Sequence, residues 1–146
     1  MSQQECQMQH IKSFIAGFVS TLVFHQGLLA LLHRAGVTPI APYSMAATAP
    51  MHVPQVISLA FWGGIWGIVL WMLIANAKGS AFWLRAAVIG AIGPSVVAWF
   101  VVMPLKGMGM AGGWNPKVIV GALLLNAVWG LGVALIMRML HRPDRD

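Results

Sequence analysis

The stretch SFIAGFVSTLVFHQGLLALL, residues 13–32, holds twenty consecutive residues with no Asp, Glu, Lys or Arg, yet places His25 and Gln26 side by side in its second half. A helix of about 20 apolar residues covers roughly 30 Å, the thickness of a bilayer's hydrocarbon core, so this stretch reads as a membrane span. Three further windows, 56–75, 86–105 and 118–137, are equally free of charge. With 59% hydrophobic and 8% charged residues over 146 positions, little chain is left for anything else. The expected architecture is all-α: an integral membrane four-helix bundle forming a single domain over residues 1–146, with lipid as its principal partner.

The first window is too long for the apolar region of a signal peptide, and the nearest cleavage-like triplet, Ala47-Thr48-Ala49, lies well beyond it, so we read it as a retained span. Cys6 is the single cysteine, which excludes an intramolecular disulfide and a Cys-based zinc site. The net charge of +6 sits at span ends rather than in a nucleic-acid-binding patch. Lys12, Lys78, Arg85, Arg138, Arg142 and Arg145 fall on one side of a four-span chain, and Arg34, Lys106 and Lys117 on the other. By the positive-inside rule both termini are expected in the cytoplasm.

The short connection NAKGS, 76–80, predicts a turn in which Gly79 ends one helix and Ser80 caps the next. The connections on the opposite side are longer and richer in Pro or Gly, and Tyr43, Met45 and Trp114 suit them to the headgroup region.

An internal repeat is visible as well. PQVISLAFWGGIWG, 54–67, and PKVIVGALLLNAVWG, 116–130, both run from Pro-x-Val-Ile to Trp-Gly, and FIAGFVS, 14–20, echoes VIGAIGPS, 88–95. Two duplicated hairpins of the same orientation would produce this pattern, with Pro54 and Pro116 near helix starts, where a missing N–H costs nothing. Each span also carries small residues at four-residue spacing, which lets helix backbones approach closely in lipid. Gly17 and Thr21 lead to His25 on the first; Gly63 and Gly67 mark the second. Ala87, Ala91 and Ser95 mark the third, and Ala122, Asn126, Gly130 and Ala134 the fourth.

Counted from the span ends, His25, Ser95 and Asn126 lie at similar depths, so the expectation is an intramembrane polar layer of His25, Gln26, Ser95 and Asn126. An intramembrane histidine serves either as a proton relay or as a hydrogen-bonded packing residue. The second is favoured here because no span contains a carboxylate to act as relay partner. Met51, His52, Met108 and Met110 form a second constellation, whose soft thioether and imidazole donors suit Cu(I). Methionine is equally an apolar filler for such loops. No GxSxG, phosphate-binding loop, HExxH or paired carboxylates occur, and Glu5, Asp144 and Asp146 stand at the chain ends, so an enzyme is not expected.

GAIGPSVVAWFVVMPLKGMGMAGGW, 90–114, followed by NAVWGLGVALIMR, 126–138, resembles small polytopic bacterial inner-membrane proteins of the YagU kind. In those a glycine-rich span ends near a Pro-Leu pair, and a later span carries Trp and ends in Arg. The resemblance covers about half of the chain. It implies inner-membrane residence and an uncharacterised role, and transfers no catalytic residue. The functional expectation is an accessory or transport-like component without a cofactor. The alternatives are a Met/His-rich copper-handling protein and a structural subunit of a larger membrane complex; four helices are too few for a solute pathway unless the chain forms a homo-oligomer.

Overall fold

The computed structural model describes residues 2–49 and 51–141. Arg142 and Arg145, counted above among the cytoplasmic charges, and the acids Asp144 and Asp146 lie outside the described residues. Four long helices dominate: α1 (Gln3–Arg34), α2 (Gln55–Ile74), α3 (Gly79–Leu105) and α4 (Pro116–Leu140). Each is long and apolar enough to cross a membrane, with a mean hydropathy of 1.8, 2.0, 2.1 and 2.2 in its most apolar stretch.

Local chemistry sets the helix ends. α1 begins ten residues before its uncharged window because Ser2 and Glu5 form a reciprocal capping box. Pro116 opens α4 in the first helical turn, and the Asn115 side chain caps it by accepting from the Lys117 N–H at 3.0 Å. Between α2 and α3 the chain reverses at Gly79, whose φ of +58° suits a residue without Cβ. Lys78 takes the N-cap place there and no side chain caps the helix, so Ser80 does not serve the role expected of it.

The connection between α1 and α2 folds back as a two-residue hairpin, β1 (Ala47–Thr48) pairing antiparallel with β2 (Val53–Pro54). Between α3 and α4, Ala111, Gly112, Gly113 and Trp114 all have positive φ, making a single left-handed turn. Left-handed backbone costs about 1–2 kcal/mol at each residue with a Cβ, so the two central glycines halve the strain. The turn sets the Trp114 ring edge-on to Phe100, with centroids 6.0 Å apart.

Neighbouring helices run antiparallel in two close pairs, and glycine is the reason they can approach. A Cβ on Gly17 would stand 2.9 Å from the Gly67 Cα and closer still to the Gly63 carbonyl oxygen, so α1 and α2 cross backbone to backbone. In the second pair a Cβ on Gly90 would stand 2.8 Å from the Gly130 Cα. The α3 contact face runs through Phe82, Ala86, Gly90 and Ser95, one residue away from the stripe expected through Ala87 and Ala91. Both pairs therefore close on the glycine of a Trp-Gly dipeptide.

The pairs join chiefly through α1 and α4. Ser20 Oγ donates to the Trp129 carbonyl at 2.7 Å, and the Trp129 indole N–H donates back to the Gly17 carbonyl at 3.1 Å. Towards the end where α1 begins and α4 finishes, Leu70, Ile74, Val133 and Met137 are fully buried and fill the interior. There His141 hydrogen-bonds Gln9 and lies against the Trp71 ring, tying the last turn of α4 to α1 and α2.

Candidate functional site: a pocket under the first loop

Both α1 and α3 contain one widened, π-helical turn: Thr21–His25 in α1 and Ala98–Val102 in α3. Such a turn inserts one extra residue and leaves one carbonyl without a partner inside the helix. In α1 the Gln26 N–H reaches back to the carbonyls of Thr21 and Val23, passing over Leu22. The Tyr43 hydroxyl, from the loop between α1 and α2, donates to that Leu22 carbonyl at 2.9 Å.

The extra residue also turns everything beyond it by roughly 100° relative to a regular helix. The buried face of α1 accordingly continues from Gly17 and Thr21 to Gln26, which is 4% exposed, instead of to His25. Gln26 Oε1 accepts the Tyr43 backbone N–H at 2.7 Å. Tyr43 is thus held through its backbone and its hydroxyl, which stabilises a φ of +52° that a residue with a Cβ rarely adopts.

Under this pinned loop lies a partly enclosed cavity of about 340 Å³. Its apolar wall is Leu29 on α1, Val56 and Leu59 on α2 and Leu125 on α4, with Ile40 and Ala41 of the loop as its lid. The polar lining is His25, Gln26, Ser44 and Gln55, and no charged side chain contributes.

The expected polar layer is therefore two clusters. Asn126 Nδ2 donates to Ser95 Oγ at 2.9 Å, joining α4 to α3, and Ser95 is fully buried. His25 instead meets Gln26, with 3.5 Å between Nδ1 and the amide nitrogen. Gly17, Gly63, Gly67 and Gly130 all lie at the close crossings. Sequence reasoning missed Tyr43, Ser44 and Gln55 as pocket residues. Pro-Tyr in an apolar loop was the available signal, but nothing in the sequence announced a π-helical turn to receive it.

In the other constellation Met51, Met108 and Met110 are 78%, 55% and 52% exposed. Among the described residues no three or more His, Cys, Asp or Glu side chains cluster in a way that would hold a metal ion.

Compared with protein-family models, with curated proteins and with solved structures, the chain matches none.

Tyr43→Phe removes the donor to the Leu22 carbonyl and should cost the loop about 1 kcal/mol of local stability. Amide hydrogen exchange across residues 38–49 is expected to accelerate severalfold while exchange in α4 stays unchanged; equal acceleration in both would contradict the local role.

Proposed function

We propose that this chain is a small integral protein of the bacterial inner membrane, crossing it four times with both termini in the cytoplasm. It acts as an accessory component that binds a ligand in the pocket on the outer side. The four apolar helices and the six-to-three distribution of Lys and Arg between the two ends support the topology. The resemblance to proteins of the YagU kind supports the residence. Two repeated hairpins account for the paired crossings at Gly67 and Gly130 and for a π-helical turn in the first helix of each pair.

The observation that carries the functional reading is the contrast along the bundle axis. Beneath a partly enclosed pocket with hydrogen-bonding groups, the interior is filled by Trp129, Leu70, Ile74, Val133 and Met137, each at most 2% exposed. That arrangement suits a binding site better than a conducting path through one copy. Purified protein in liposomes should pass protons, potassium and chloride no faster than empty liposomes. A protein-dependent flux abolished by His25→Ala in a folded variant would replace this reading with a conducting one.

A further inference from the structure

The hydrogen bonds around Gln26 decide what the pocket offers a ligand. Gln26 Oε1 faces the Tyr43 backbone N–H, and a backbone N–H can only donate, so the orientation of the amide is set. Its NH2 group is then the one turned towards His25 Nδ1, 3.5 Å away. With the amide as donor, Nδ1 is the acceptor in this contact, which corresponds to the tautomer with the ring proton on Nε2. Among the described residues Nε2 has no hydrogen-bond partner, and His25 lines the cavity. A residue of the cavity lining thus carries a ring nitrogen without a partner among the described residues, free to donate to a ligand.

The rest of the lining narrows the ligand further. The Ser44 hydroxyl and the Gln55 amide add donors, and the remaining wall is aliphatic. Without a charged side chain in the lining, a charged group entering the pocket would lose its hydration uncompensated. A volume of about 340 Å³ suits one ring or one glyceryl head, and the exposed rim residues Ile40 and Leu59 leave an apolar exit for a tail.

We propose that the pocket binds an uncharged, carbonyl-bearing membrane amphiphile, whose carbonyl oxygen accepts a hydrogen bond from His25 Nε2. This rests on the reading of the pocket as a ligand site, and it names the ligand's chemistry. Two membrane components carry that chemistry, an isoprenoid quinone and an uncharged acylglycerol.

The test uses the full chain in nanodiscs of synthetic phospholipid, titrated separately with decylubiquinone and with dioctanoylglycerol. Two variants accompany the wild type. His25→Phe keeps a ring and removes the donor, and Ala41→Trp fills the cavity from the exposed lid without touching a hydrogen bond. Saturable binding of either probe, weakened about tenfold by His25→Phe, as expected for one lost hydrogen bond, and abolished by Ala41→Trp, supports the proposal. Whichever probe binds identifies the source. Binding of neither probe to a protein that still melts cooperatively overturns it, as does binding that both variants leave unchanged. Nitrogen NMR of histidine-labelled protein gives a readout independent of ligand: a proton on His25 Nδ1 instead of Nε2 also overturns it. Ion flux alongside normal binding would remove only the accessory reading, so the two failures are separable.

Discussion

Alanine in place of Gly17 or Gly130 should strongly destabilise the folded bundle, whereas the same change at Gly27 or Gly121 should leave it intact. At the first two positions the new methyl meets main chain: the Gly63 carbonyl and Gly67 Cα from Gly17, the Ala86 carbonyl and Gly90 Cα from Gly130. Main chain has no rotamer to change, so the helices must separate along the whole crossing. Overpacking a core costs about 1–3 kcal/mol where side chains can adjust, and this site lies at or above the upper end of that range. Gly27 and Gly121 have nothing within 4 Å of the new methyl. There alanine adds helix propensity worth up to about 1 kcal/mol. Equilibrium unfolding in mild detergent, followed by tryptophan fluorescence, should separate the two classes by about 2–4 kcal/mol. Equal stabilities would mean that the pairs do not close on glycine.

The second large effect is expected at Trp129, which is 2% exposed and joins α4 to α1. Truncating a buried Trp to Ala costs about 3–5 kcal/mol in a typical core. In detergent, as in lipid, a separated apolar helix is still surrounded by apolar chains, so the loss comes from dispersion contacts and the indole hydrogen bond, and the lower end applies. Trp129→Phe keeps one aromatic ring but removes the N–H and part of the indole's packing volume, so it should cost an intermediate amount, about 1–3 kcal/mol. The Gly17 carbonyl keeps its bond from Thr21 Oγ1 at 3.0 Å in either variant. Trp62→Ala, at a position 58% exposed, is the control and should shift the midpoint little. If Trp62→Ala cost as much as Trp129→Ala, the joint between the pairs would not lie where Trp129 stands.

The four helices were legible because each rests on a contiguous run of apolar residues, a local property that needs no partner. Gly17, Gly63, Gly67 and Gly130 were legible for a related reason: small residues at helical spacing mark a face on which only close packing is useful in lipid. The pairing of Ser95 with Asn126 follows from depth and helix face together. On α3 the same counting selected Ala87 and Ala91, one residue off the buried face through Ala86 and Gly90. A rotation of one position is small for composition and decisive for contact.

His25 and Gln26 mark the limit of such counting. Four-residue spacing carried Gly17 through Thr21 to His25, and it presumes 3.6 residues in every turn. One π-helical turn between Thr21 and His25 breaks that assumption, buries Gln26 and gives His25 to the pocket. The extra residue is tolerated because a hydroxyl 21 positions further along the chain accepts the task of pairing the Leu22 carbonyl. By itself, then, the sequence determined that there are four long apolar helices and which glycines let them meet, since both depend on neighbours along one helix. Only the tertiary structure decided which way the polar pair faces, because the energy that holds the π-helical turn comes from Tyr43, in a different segment.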